Sequence, residues 1–400
     1  MKYSLKILFL FLIFWGSNLF CQDTKKTSQD SSVTHNKHPQ RVPVDSGFYI
    51  RSSDSKSYLR IYGSVRLDGA YDINGLQSVK TFSTFDIPTG SENIEKRFFM
   101  SVSQSRFGFD AHLVNKFGIF NLKLESDFFG SNNAFRIRHA YGTYKNFLLG
   151  QTWSVFGDPN SVPVTVDPDG PNSSLSERTI QLRLQPVKAK YNWALAIESP
   201  KPDISSPDST QLEPVYQSYP DVTAMINFVY RWGYVQFSGV FRSISVRNFD
   251  ESVGVLAGYG GLLSSKIDIT KKYTMFLQFT AGKGISRYIA GLTGKGQDVV
   301  YDEQNKTNVL LITYGGFICG SRVWNKIIST NITLGLLRIV NKDFQPGSSF
   351  KWSFYFSVNT FISIAKSGRV GLEYDFGKRM DKDGGNGTAN RISFIGILDF

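Results

Sequence analysis

Among the 400 residues there are only two cysteines and four histidines, and nowhere do eighteen apolar residues follow one another. Each scarcity removes a class of protein. A membrane-spanning helix needs about 18–20 consecutive apolar residues, so a bundle of such helices is excluded. The cysteines are Cys21 and Cys319. Loss of a leader ending at Cys21 would leave Cys319 alone, with no intrachain disulfide and no cysteine-based zinc or redox centre possible. His35 and His38 fall in a polar N-terminal stretch, which leaves His112 and His139 for chemistry. Neither has a serine motif beside it, so a hydrolytic site lacks its parts. No metal-ligand cluster is present, and Gly282-Lys283-Gly284 lacks the rest of a phosphate-binding loop. No cofactor is implied. Amphipathic helical stripes of twelve or more residues are also missing.

Aromatic residues (33 Phe, 19 Tyr, 6 Trp) and glycine (36) are abundant, against 14 Pro. That composition describes an all-β protein with many turns. The N-terminus adds an address. Lys2 and Lys6 flank a basic start, an apolar run follows from Ile7 to Trp15, and polar residues lead to Cys21. Residues 1–21 read as a signal peptide, too short to span a bilayer. Lipidation at Cys21 is the alternative to cleavage after it, and bulky Phe20 argues against lipidation. Residues 22–57, polar and without period over 22–46, read as a flexible periplasmic segment. The formal charge of +12 falls to about +10 without Lys2 and Lys6.

From Tyr58 onward the pattern is alternation. In 59–71, Leu59, Ile61, Val65, Leu67 and Tyr71 fall on one face, and Arg60, Tyr62, Ser64, Arg66 and Asp68 on the other. Successive strand side chains point to opposite faces, so one side is apolar and the other charged. Segments 120–128 and 179–185 repeat this, and 235–242 does so less strictly. A soluble sandwich also alternates. Segments long enough for tilted membrane strands, with Tyr71, Phe128, Tyr144, Tyr230, Tyr259 and Tyr374 near their ends, favour a transmembrane antiparallel β-barrel over 58–400. Sixteen strands are expected, with fourteen or eighteen as alternatives: 58–72, 97–113, 118–129, 135–145, 146–153, 177–186, 187–199, 221–231, 234–248, 252–266, 272–285, 308–320, 325–340, 350–364, 368–379 and 389–400. The last alternates through Ile392, Phe394, Gly396 and Leu398 to a terminal Phe400, as closing strands of outer-membrane barrels commonly do. The expected location is the outer membrane of a Gram-negative-type bacterium, in contact with its lipid.

With the charged faces inward, Arg60, Arg66, Arg106, Lys123, Arg136, Arg138, Arg183 and Arg242 line the lumen, and Asp68, Asp110, Glu125 and Asp127 face the same way. Arginine is a permanent, forked donor to carboxylate and phosphate oxygens. Rings of such cations favour anions in a pore. Pairing with the inward carboxylates would instead make the same arginines lumen filling. The stretch 153–176 breaks the rhythm with Trp153, Asp158, Pro159, Pro163, Asp167, Pro168, Asp169, Gly170 and Pro171. So long a loop needs a reason, either a constriction folded into the barrel or an excursion on the surface. The long segments 200–220, 286–307 and 380–388 read as extracellular and free to meet partners.

The sequence Arg136-Ile137-Arg138-His139-Ala140-Tyr141, followed by Gly150-Gln151-Thr152-Trp153-Ser154 and the Pro/Asp/Gly loop to Pro171, resembles the DcaP-like outer-membrane porin family. That resemblance implies a trimeric sixteen-stranded channel for small anionic solutes, dicarboxylates among them. It makes 153–176 the constriction loop and places Arg136, Arg138, Arg178 and Arg183 near the pore. The stretch 22–46 has no heptads, whereas family members can carry a coiled coil there. Thr179-Ile180 also stands where the family's strand has a proline-containing start. The expected function is a passive porin for small, preferably anionic solutes such as carboxylates, acting as a homotrimer. A structural or adhesive barrel without an open channel is the alternative. Nucleic acid is not an expected partner, because the cations are spread over strands of an exported protein.

Overall fold

The computed structural model describes residues 47–74, 76–90, 95–186, 191–204, 215–248 and 252–400, so the expected signal peptide lies outside the described residues. In chain order the strands are β1 Phe48–Arg51, β2 Tyr58–Asn74, β3 Arg97–Ser101, β4 Arg106–Asn115, β5 Gly118–Asp127, β6 Arg136–Tyr144, β7 Phe147–Trp153, β8 Arg178–Leu184, β9 Tyr191–Glu198 and β10 Asp221–Tyr230. They continue as β11 Gly233–Arg247, β12 Val253–Asp268, β13 Tyr273–Lys283, β14 Val299–Asp302, β15 Thr307–Leu310, β16 Ile312–Val323, β17 Ile328–Val340, β18 Phe350–Ser363, β19 Gly368–Asp381 and β20 Asn386–Asp399. Among the described residues there is no α-helix.

Each wall strand pairs antiparallel with the next, and β20 returns to β2 with Ser64 opposite Asp399, which closes the barrel. β3 and β4 occupy one wall position, pairing with the upper and lower halves of β2 across a break at 102–105. β1 extends the lane of β20, with Phe48 opposite Ile61. The hairpin β14–β15 stands outside the wall sheet. The wall therefore has sixteen positions, and every expected span overlaps one. Two differences arise from local chemistry. Phe48–Arg51, inside the stretch expected to be flexible, gains a ladder to β2. The expected strand 308–320 begins at Ile312, because 307–310 is taken by the hairpin.

The connections at the end with the start of β2 and the end of β20 are short, and every long loop lies at the other end, which also holds the four-residue turn 382–385. Outer-membrane barrels have their short turns in the periplasm and their long loops outside. Alternation sorts the faces as expected: Ile332, Leu334 and Leu336 on β17 are exposed, whereas Asn331 and Thr333 are buried. A lipid-facing apolar side and a polar inside satisfy both solvents, and the closed ladder leaves no unpaired edge in hydrocarbon.

The wall is uneven. β6, β7, β8 and β9 have 9, 7, 7 and 8 residues, against 15 and 16 in β11 and β12 and 14 in each of β18, β19 and β20. At roughly 3.3 Å per residue, seven residues reach about 23 Å before tilt, short of an apolar band of about 25 Å. The barrel thus has a low wall and a tall wall.

At the closing seam between β20 and β2 the Phe400 ring lies over Gly63. Their backbones exchange two hydrogen bonds, Gly63 N to Phe400 O at 3.1 Å and Phe400 N to Gly63 O at 3.0 Å. A Cβ at Gly63 would sit 2.5 Å from the Phe400 ring and from the Arg106 carbonyl. Gly63→Ala is therefore expected to lower the fraction of chains that refold to the compact, heat-modifiable form on unboiled gels. Wild-type folding yield would refute this account of the closure.

Candidate functional site

The segment 154–177 follows β7 and runs along the inside of the tall wall. Its departure is fixed by Glu198 of β9, which accepts hydrogen bonds from Ser154 Oγ (2.8 Å), Val155 N (2.9 Å) and Thr223 Oγ1 (2.7 Å). Asp158 accepts from Tyr234 of β11 (2.8 Å) and Ser264 of β12 (2.7 Å), and Gln278 of β13 donates to the Asp158 carbonyl (2.9 Å). Further on, Asn331 of β17 and Asn359 of β18 both donate to Val164 O. Glu373 of β19 accepts from Val166 N (3.0 Å), Asp167 N (2.7 Å) and Asn359 Nδ2 (2.6 Å). Arg66 of β2 donates to Val166 O at 2.9 Å, and Arg391 of β20 lies 3.7 Å from Asp167. The loop crosses the tall wall from β11 round to β2, and each strand contributes a side chain from its inward face. It packs inside the barrel and makes no surface excursion.

Two more loops join it, which sequence reasoning did not anticipate. Residues 76–90 dock through Asp167, which accepts from Phe82 N (2.7 Å), and Asn172, which accepts from Thr84 N (2.7 Å). Residues 286–307, expected to be extracellular and free to meet partners, pack in part into the mouth: Leu175 bridges Ile289, and Gly291 N donates to Asn172 O, whereas 303–307 at the hairpin tip are exposed. Phe156, Leu175, Ile285, Tyr288, Ile289, Leu292 and Leu311 form an apolar core with Leu337 and Ile339 of β17. A signal existed, because 336–340 reads Leu-Leu-Arg-Ile-Val and abandons alternation. A strand that is apolar on both faces has a partner inside as well as lipid outside.

Two of the loop's carboxylates are withdrawn from the lumen. Asp158 and Asp167 are 1% and 3% exposed, and burial pushes both carboxyls above the usual range. For Asp158 the hydrogen bonds from Ser264 and Tyr234 oppose that push; for Asp167, Asp169 adds to it and Arg391 opposes it. Asp169 is half-buried, and Trp153 stands at the root of the loop on β7.

The arginines divide into two sets. Arg60 pairs with Asp110 (3.2 Å) and Arg66 with Asp68 (2.6 Å). Arg136 pairs with Asp127 (2.7 Å), and Arg138 with Glu125 and Asp127 (2.9 Å each). Arg242, 0% exposed, is fixed by Asp298 (2.7 Å) and Asp221 (3.2 Å) inside the buried mouth. Lumen filling therefore describes Arg242 well. In the other set, Arg178 lies over the Trp153 ring at 3.8 Å, and its Nε has no hydrogen-bond partner among the described residues. Arg183 donates to Gln181 (2.8 Å), Gln185 (3.1 Å) and the Trp153 carbonyl. Arg106 is half-buried on β4, opposite Asp127 in the register. On β4 to β8, Arg106, Lys123, Arg136, Arg138, Arg178 and Arg183 outnumber Asp110, Glu125 and Asp127. His139 hydrogen-bonds the buried Thr152 hydroxyl (3.0 Å), and His112 hydrogen-bonds Asn121 (2.7 Å). No cluster of potential metal ligands occurs among the described residues.

A closed sixteen-position barrel with loops folded inside it and a polar lumen is an outer-membrane channel of the porin class. Within that class the chain belongs to the DcaP outer membrane protein family, which matches residues 46–400. Among solved structures it is similar to the outer-membrane channel DcaP of Acinetobacter baumannii, at 20% identity over 88% of this chain and 99% of that one, with a TM-score of 0.75. It is also similar in fold to an anion-selective porin from Comamonas acidovorans (11% identity, 86% and 100% covered, TM-score 0.58) and to OmpF of Salmonella typhi (11%, 88% and 100%, 0.57). No curated protein matches it. The chain is a channel protein of the outer membrane and not an enzyme.

Proposed function

We propose that this channel passes small anions, carboxylates among them, by passive diffusion through the space between the low wall and the folded-in loop. One observation carries the reading. The loop buries Asp158 and Asp167 against the tall wall, so they do not oppose the arginines of the low wall across the lumen. Cations lining a narrow, partly desolvated passage lower the barrier for anions and raise it for cations. Arg106, Arg136, Arg138, Arg178 and Arg183 supply the attraction, and 153–176 supplies the size limit.

The assembly proposed is a homotrimer joined through β6 to β9. That wall is too short to face hydrocarbon alone, yet Leu149 and Ile180 on its outer side are 65% and 60% exposed. A second copy would cover it. The reversal potential of the purified protein in a planar bilayer under a salt gradient tests the selectivity, and the expected sign is that of an anion-preferring pore. A cation-preferring sign would overturn the solute class and leave the barrel intact.

A further inference from the structure

The short turns of the tall wall carry charge of one sign, although the turn 52–57 at the same end of the barrel holds Asp54. Along the tall wall the turns at 231–232, 269–272, 324–327 and 364–367 contain Arg231, Lys271, Lys272, Lys326 and Lys366 and no carboxylate. All five are exposed. The opposite end mixes signs, with Asp86, Asp169, Asp343 and Asp383 among its lysines and arginines. Aromatic rings accompany the cations. Tyr230 and Trp232 stack at 5.0 Å on either side of Arg231 in sequence, and Tyr273 follows Lys272.

Arg322 completes the pattern from an unusual place. It shares the outward face of β16 with Ile312 and Ile318, which are exposed to lipid. Its register partners Tyr273 and Thr330 are outward too. The guanidinium lies 3.5 Å over the Trp324 ring and 5.0 Å from the Tyr273 ring, and its buried Nε has no hydrogen-bond partner among the described residues. No carboxylate lies on this face: Asp268, at the end of β12, sits on the inward face, where it accepts from Thr274 and lies 4.0 Å from Lys266. A cation held on the membrane side without a counter-charge requires one from the membrane.

We propose that Arg322, flanked by the turn cations Lys272 and Lys326, binds the phosphate of anionic phospholipid headgroups in the periplasmic leaflet, and that Arg231 and Lys366 extend the site along the tall wall. Tyrosine and tryptophan rings settle at the glycerol level of a leaflet. Basic side chains just beyond them meet the phosphates, each cation adding to the attraction within a Debye length. Guanidinium suits phosphate by its planar fork, and the ring stack keeps that fork oriented at the interface. The ring of charge fixes the depth of the barrel and gives its lipid annulus a composition.

The test uses the full protein in nanodiscs of equimolar phosphatidylglycerol and phosphatidylcholine, with the lipid retained after detergent extraction quantified by mass spectrometry. Wild-type protein should retain phosphatidylglycerol in preference. Arg322→Gln, and separately Arg231→Gln/Lys272→Gln/Lys326→Gln/Lys366→Gln, should each reduce that enrichment about fivefold or more. Both variants should keep wild-type conductance and gel mobility, because none of these residues faces the lumen. Undiminished enrichment in both variants would overturn the proposal. So would displacement of the lipid by inorganic phosphate beyond that by chloride at equal ionic strength, which would mark a free-phosphate site. Sedimentation with peptidoglycan that depends on these residues, without lipid enrichment, would reassign the ring to the cell wall.

Discussion

A channel carrying Arg178→Gln and Arg183→Gln is expected to lose most of its anion preference, its reversal potential moving towards zero. These two arginines have no carboxylate ion pair among the described contacts, so their charge is not cancelled locally. A unit charge about 8 Å from a passing ion, at an effective dielectric near 40, contributes roughly 1 kcal/mol, which is about fivefold in the permeability of the anion per residue. The control is Arg242→Gln, which removes one guanidinium charge from the buried mouth and is compared per charge removed. It is expected to leave the permeability ratio unchanged and to lower stability, because Asp221 and Asp298 lose the guanidinium that pairs them. Equal loss of selectivity in both variants would mean that overall charge, and not the low wall, sets the preference.

The second large effect concerns the loop. Glu373→Ala should release the stretch 163–168 from the wall. That one carboxylate accepts from Val166 N, Asp167 N and Asn359 Nδ2, all buried. Donors left without an acceptor cost about 1–3 kcal/mol each, so the docked loop weakens by roughly 3 kcal/mol or more. The result to look for is rapid current fluctuation between conductance levels in single-channel records, with new cleavage inside 154–177 by protease added to the long-loop side. Glu373→Gln keeps an acceptor oxygen and should show a smaller effect. A quiet Glu373→Ala channel of wild-type conductance would show that Asp158, Arg66 and Asn331 suffice to hold the loop.

The strands were legible in the sequence because lipid writes a local pattern. A side chain that meets hydrocarbon must be apolar and its neighbour need not be, so Ile332, Leu334 and Leu336 mark β17 without reference to any other strand. The family block around Gly150 to Pro171 was legible for a similar reason: glycine, proline and aspartate at close spacing exclude a strand wherever they occur. Even the inward direction of Arg60, Arg66, Arg136 and Arg138 followed from period two.

The partners of those side chains were not legible. Arg66 meets a carbonyl 100 residues away and Glu373 meets an amide 206 residues away, and nothing in the local pattern of either strand encodes such a distance. The same limit hid the folding of 76–90 and part of 286–307 into the mouth, since polar loop sequence reads alike whether it faces water outside a barrel or the core of a plug. The sequence alone determined a barrel wall of sixteen strands, give or take two, with a charged interior, because alternation depends only on which solvent each side chain meets. Only the tertiary structure decided that Arg242 is neutralised by Asp298 and Asp221 while Arg178 is left stacked on Trp153. Ion pairing depends on which strands closure brings together, and closure is a property of the whole ring.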